Sequence, residues 1–371
     1  MNKYLIIMLI TVSFSFSSSI NAASVEERLI AMEKRLQQLE QRIANQEEVI
    51  KEKDKQIVEL TSNANPEEQN NWVDNIEIGG VVEVEAQNVS TDGSPDESDI
   101  YVATVELGIS AKINDWTEAE IVLLYEDDGD NDLDVDTAIM SISDPNSIWF
   151  LNAGLYALPF GNFSTNLVSD PITLDAAETY DSAVEFGIYN EGFNLSAYIF
   201  KGDQQSEIEN YGIALTYETE GDNYIFNSGL GWINDLSESD SVVDDGTTMI
   251  NKASAWTAFA QLNFKSLTLI GEYVAATESL NVYSSNDEPS FFNVEAAYHF
   301  EALGKPTTIA IGYQGTDEAS LYAGGLDEER MLAALSIEIM DATSLSFEYA
   351  NSEDYAGVET DTLTGQLAVE F

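Results

Sequence analysis

From Ile76 to Phe371 the chain alternates apolar and polar side chains with a period of two, and this pattern excludes most folds open to a chain of this length. Ile76, Ile78, Gly80, Val82, Val84 and Ala86 fall on one face, and Glu77, Glu83, Glu85 and Gln87 on the other. The next segment repeats the pattern, with Tyr101, Ala103, Val105, Leu107, Ile109 and Ala111 against Thr104, Glu106, Ser110 and Lys112. Sixteen such segments can be counted, the last spanning Leu363 to Phe371. A soluble sandwich would seal its polar-free faces against each other. Here every segment pairs one apolar face with one carrying Glu or Gln, which fits a lipid-facing wall around a wet lumen better than a closed core. The connections alternate too. Short turns (Asn114-Asp115, Asp144 to Ser147, Tyr189 to Gly192, Glu220 to Asp222, Lys265-Ser266, Leu303 to Pro306) interleave with long acidic ones such as NVSTDGSPDES, EDDGDNDLD and DLSESDSVVDDGTTMIN. Tyr101, Tyr125, Trp149, Trp232 and Trp256 stand at segment ends in apolar-face parity, as interfacial girdles do. The expected fold is all-β: a transmembrane antiparallel β-barrel of about 16 strands over residues 75–371, preceded by an α-helical coiled coil. A barrel of this size keeps an aqueous channel.

Charge narrows the function. The 371 residues hold 67 acidic and 14 basic side chains, a net charge of -53, which no phosphate-tracking surface carries, so nucleic acid is excluded as a partner. Residues 1–60 are nearly balanced, with eight basic and nine acidic residues, which leaves six basic and 58 acidic residues in 61–371. Zero Cys and a single His, His299, remove thiolate chemistry and poly-His metal centres. No catalytic residues, cofactor or metal are expected. Asp128, Asp130, Asp132, Asp134 and Asp136 alternate as calcium ligands would, but Leu133 stands where an EF-hand loop needs Gly and Ile139 where it needs Glu; a solvated loop tip is the better reading.

The N-terminal part is of another kind. Met1-Asn2-Lys3, the apolar run Tyr4 to Phe16 and SSSINAA read as a signal peptide over 1–22, too short to span a bilayer. Val25, Met32, Leu39, Gln46, Lys53 and Leu60 recur every seven residues, as do Leu29, Leu36, Ile43, Ile50 and Ile57 in the offset register. This seam predicts a coiled coil over 23–61, which needs a partner helix and so a homo-oligomer. A polar linker, 62–74, follows.

The whole arrangement, with AGLYALPFGNFSTNLVSDPITLDAAETYDSAVEFG at Ala153 to Gly187, resembles the LbtU-type siderophore porin family. Its short motifs here are Pro159-Phe160-Gly161, Ser169-Asp170-Pro171 and Glu178-Thr179. The terminal Phe371, in parity with Val369, Leu367 and Leu363, resembles the signal read by the bacterial barrel-assembly machinery. The resemblance implies a passive, plugless channel in the bacterial outer membrane, surrounded by its lipid, with the coiled coil in the periplasm. The solute it implies is a ferric siderophore. The mixed Leu and Ile of the heptad seam leave dimer and trimer open, with a trimer preferred because porins of this size usually associate so. By the same resemblance Leu158 to Ala177 is a loop that folds into the pore, making Phe160, Asn162, Thr165, Asp170 and Glu178 candidate constriction residues. The residues alone allow that PFG and SDP merely shape the turn. Inward parity makes Glu83, Glu85, Glu106, Glu118, Glu120, Glu272 and Glu295 an acidic lumen lining, with Glu338 and Glu348 in the same parity. Such a lining concentrates small cationic solutes and repels anions. Two further functions stay open: a general cation-preferring porin, and a structural tether whose coiled coil spaces the barrel from the cell wall.

Overall fold

A computed structural model describes residues 75–126, 133–202, 205–244, 252–280, 287–320, 322 and 325–371. The expected signal peptide, coiled coil and linker lie outside the described residues. The alternating segments become sixteen strands: β1 (Ile76–Thr91), β2 (Glu97–Lys112), β3 (Thr117–Glu126), β4 (Asp134–Ser143), β5 (Trp149–Ala157), β6 (Tyr180–Asn190), β7 (Phe193–Phe200) and β8 (Asn210–Gly221) form the first half. β9 (Tyr224–Ile233), β10 (Ala255–Phe264), β11 (Leu267–Ala276), β12 (Ser290–Ala302), β13 (Lys305–Asp317), β14 (Glu329–Met340), β15 (Thr343–Glu353) and β16 (Glu359–Glu370) form the second. Each pairs antiparallel with its sequence neighbours, and β16 returns to β1 from Val81↔Glu370 to Thr91↔Thr360, so the sheet closes with no free edge. Gly80 and Phe371 exchange two backbone hydrogen bonds of 3.0 Å at that seam.

The apolar faces point outward. Ile78, Ile121, Phe186, Ile199, Leu230, Val294, Ile311 and Phe347 are all exposed, an arrangement that only an apolar surrounding makes favourable. Trp149, Trp232 and Trp256 stay on this face, with Trp116 against Trp149 at 6.3 Å and Tyr211 against Trp232 at 5.6 Å. Tyr101 does not. Glu83 pairs with Thr104 but Val84 with Val102, so Ala103 is an extra residue that inverts the parity of the rest of β2. Ile100 and Val102 therefore face out, and the Tyr101 hydroxyl donates to Glu85 Oε2 at 2.7 Å inside the barrel. Similar bulges stand at Asp136 in β4 and Ile339 in β14.

Seven short turns join the strands at one end. Glu191, Lys265, Leu303 and Ala342 adopt positive φ of 51 to 56° there, the left-handed backbone that tight hairpins need. At the other end most connections are longer; the exceptions are 354–358 and the link in NVSTDGSPDES, where β1 and β2 extend into the segment and leave only 92–96. Among the described residues no helix is long and apolar enough to cross a membrane; the strands run the length of the wall instead.

Candidate functional site

The connection from Leu158 to Thr179 folds into the barrel. Pro159-Phe160-Gly161 starts the turn: Gly161 has φ +104°, and a Cβ there would lie 2.4 Å from the Phe163 ring, so only glycine fits. What holds the loop is a row of wall side chains that accept its backbone N–H groups. Glu272 on β11 takes the N–H of Asn162 (2.8 Å) on Oε1 and that of Phe163 (2.9 Å) on Oε2. Glu295 on β12 takes the Asn166 N–H at 2.8 Å and the Thr165 hydroxyl at 2.7 Å. Glu348 on β15 takes the Val168 and Ser169 N–H groups at 2.7 and 3.1 Å, and the Ser169 hydroxyl as well. Gln314 on β13 takes the Ile172 N–H at 3.1 Å, at the start of the short helix α1 (Ile172–Ala177). Each carboxylate meets paired donors, and each such bond to a charged acceptor contributes ~1.5–3 kcal/mol. Leu167 drops between Ala297, Ala310, Leu332 and Ala334, and a Cβ on the wall residue Gly312 would come within 2.7 Å of it.

A second connection, read from the sequence as a long acidic loop, folds in beside the first over its described residues 235–244. Asp235 caps a 3-10 turn (Leu236–Glu238) by accepting from Ser237 N, and α2 (Asp240–Asp244) follows. Leu236, Val242 and Ala253 are buried with Phe160, Ile172, Ala176 and Ala177. Asp240 ties the two loops: its N–H donates to Glu178 O at 3.0 Å while its carboxylate accepts from Tyr180 N. Tyr322, from the link between β13 and β14, packs on Phe291 and donates its hydroxyl to Ala176 O at 2.6 Å. The signal for this in the sequence is the set of apolar residues Leu236, Val242 and Val243 among the acids.

The candidate residues thus have distinct places. Phe160 is 1% exposed and forms part of the loop's apolar core; Asn162 and Thr165 bond to the wall; Asp170 is exposed on the loop. Glu178 lies at the junction with Asp240. Burial, with Asp240, Asp170, Asp136 and Glu126 nearby, pushes its carboxyl up to about 8. Glu272 and Glu295 are 4% and 2% exposed and hold the loop. Glu83, Glu85, Glu106, Glu118 and Glu120 line β1 to β3, whose described side chains are nowhere buried. The inward connections therefore pack against the wall from Ile139 on β4 round to β15, and the uncovered stretch of wall runs along β1 to β3. His299 sits between Thr268 and Thr308, 2.9 Å from each hydroxyl.

Because Glu178 has its proton held more tightly here than in an undocked loop, docking is favoured below an ordinary carboxyl value and weakens as pH rises towards 8. Glu178→Gln should weaken that dependence: subtilisin nicking of the loop, normalised to the protease's own rate on an unstructured peptide at each pH, should accelerate from pH 5 to 8.5 more steeply in the parent protein than in the variant. Equal pH profiles would refute this.

No family model matches the chain. A UPF0422 protein from Coxiella burnetii is 24% identical over 300 residues, 75% of this chain and 64% of that protein, so the chain spans less than two thirds of that relative's length. The structure of OprB from Pseudomonas putida at high pH superposes with a TM-score of 0.60 at 8% identity, covering 82% of this chain and 96% of that one. An anion-selective porin from Comamonas acidovorans gives a TM-score of 0.57 at 13% identity, over 80% and 99% of the two chains. These likenesses establish the fold: a closed 16-stranded barrel of the outer-membrane porin type.

Proposed function

We propose that this chain forms a passive, plugless outer-membrane channel that prefers cations. The observation that carries the reading is the charge of the open lumen: Glu83, Glu85, Glu106, Glu118 and Glu120 line one side, and Asp170 on the inward loop lies within electrostatic reach of Glu83 and Glu85. Carboxylates on both sides of a narrow aqueous path raise the local cation concentration. The fold does not choose the sign of selectivity, since the Comamonas acidovorans neighbour is described as anion-selective. The side chains must. A channel rather than an enzyme is the reading the porin-type neighbours favour.

The test is the reversal potential of the reconstituted protein under a KCl gradient. Potassium should be favoured over chloride at low salt and less so near 1 M, where the screening length falls to ~3 Å. Glu83→Gln, Glu85→Gln and Glu106→Gln combined should cut the preference severalfold. Chloride preference in the parent protein would overturn the reading.

The narrower reading is ferric-siderophore uptake. It is supported by the loop's wall-bound position, because a wide barrel needs an internal constriction to discriminate solutes. An acidic path suits a chelate of net positive charge. Growth of a deletion strain under iron limitation, with and without candidate siderophores, tests it. The trimeric assembly and the tether role both rest on residues 23–61, outside the described part of the chain, and belong to the proposal.

A further inference from the structure

We infer that Arg330 is the positioning residue for the acidic corner of the inward loop, and that it thereby sets the charge which that corner presents to the passage. The inference rests on the channel reading above. Arg330 lies near the start of β14, at the long-loop end, with its side chain 19% exposed. Its Nε is 3.2 Å from Asp327 Oδ2, its Nη1 3.8 Å from Asp175 Oδ2, and the same Nη1 donates to Asp170 O at 3.4 Å. One guanidinium thus joins the link before β14 to both sides of the Pro171 turn. A planar fork of five donors can do this; an ammonium group cannot satisfy three directions so well.

The rest of the surroundings are acidic or neutral. Asp170 faces Glu85 and Glu348 from the wall, and Asp175 faces Asp170 and Asp327. From α2, the Ser241 hydroxyl donates to Asp175 O, and Asp240 bonds to the backbone of Glu178. From β13, Gln314 accepts from Ile172. The six basic residues of 61–371 are Lys112, Lys201, Lys252, Lys265, Lys305 and Arg330. Lys112, Lys201, Lys265 and Lys305 stand at or beside strand ends, and Lys252 pairs with Glu209 at 3.5 Å. Arg330 is the one whose contacts reach the inward loop among those described.

The Asp175 side chain is 32% exposed, so the pair is only partly shielded from solvent, yet desolvation pushes its carboxyl up to about 6 even against the pull of Arg330. Without the guanidinium the carboxyl holds its proton more tightly still. The loop's corner and its charge therefore depend on one side chain that contributes nothing to the strand pairing around it.

The experiment compares the full-length parent protein with Arg330→Gln, Arg330→Lys and Asp175→Asn in planar bilayers, recording conductance and reversal potential from pH 4.5 to 8.5. The parent should show a step near pH 6. In Arg330→Gln the step should move up by about one pH unit or more, because an opposite charge at this range lowers a carboxylate by ~1–3 units. Arg330→Lys, which keeps the charge but not the fork, should leave the step between those of the parent and Arg330→Gln, and Asp175→Asn should abolish it. A merely structural role would change yield without moving the step. A second readout needs no current. The chain has no Cys, so Thr173→Cys, at a site 0% exposed, provides a single thiol whose labelling reports loop undocking. Adding Arg330→Gln should speed labelling about tenfold. A folded Arg330→Gln barrel with an unmoved step and an unchanged labelling rate would overturn the inference. Absence of any current in the parent protein would instead defeat the channel reading, and the labelling rates would still decide the role of Arg330.

Discussion

Removal of Asn162–Thr173 is expected to raise single-channel conductance several-fold while the barrel still inserts and closes. The strands on either side do not need the deleted residues: β5 and β6 pair from Trp149↔Ile188 to Ala157↔Tyr180, and closure rests on β1 and β16. What disappears is the peptide that fills the β10–β15 side of the lumen. Without an inward loop, a barrel of ~16 strands is an open aqueous pore. The deletion also unmasks Glu272, Glu295 and Glu348, which lose their backbone donors and face water. Cation preference should therefore rise together with conductance, a pairing that simple widening would not produce. If the siderophore reading holds, rescue of growth on low iron by siderophore should vanish. Unaltered conductance in a correctly folded deletion protein would end the constriction role.

The second large effect is expected from Glu272→Gln combined with Glu348→Gln. Each carboxylate holds two successive N–H groups, Asn162 and Phe163 on one, Val168 and Ser169 on the other. A glutamine keeps one acceptor and turns an amide NH2 towards the second donor, so one bond in each pair becomes a repulsion. The loss is on the order of 4 kcal/mol for the pair of sites, at roughly 2 kcal/mol for each charge-assisted bond removed. That is enough to populate an undocked loop, and the channel should flicker between a small and a large conductance. Either substitution alone should do far less, since Glu295, Gln314 and Leu167 still hold the loop. Steady single-level openings in the double variant would show that the carboxylates are not what keeps the loop in place.

Much of the barrel was legible because it is written locally. A period of two over sixteen segments specifies strands, their apolar sides and the places where the chain turns, and each strand pairs with its sequence neighbour. Parity put Glu272, Glu295 and Glu348 on one face, and these three accept hydrogen bonds from the inward loop. It failed at Tyr101, where Tyr101, Val102 and Ala103 are all apolar and a one-residue bulge leaves no mark in the pattern. Of the inward loop, PFG and SDP marked a turn, and the resemblance suggested where it goes.

The sequence by itself determined the strands, their faces, the strongly acidic charge and the position of the one long connection rich in apolar residues rather than acids. Only the tertiary structure decided which inward glutamates remain as lumen wall and which serve as acceptors for the loop. Glu83 and Glu272 have the same residue type and the same inward parity, yet one stands beside the open path and the other is 4% exposed beneath a peptide 110 residues away in sequence. Alternation reports direction from the sheet, which is a property of neighbouring residues. What a side chain meets in that direction depends on where a distant segment comes to rest, and in this barrel that is fixed by backbone N–H groups, which every residue but proline carries and no sequence pattern displays.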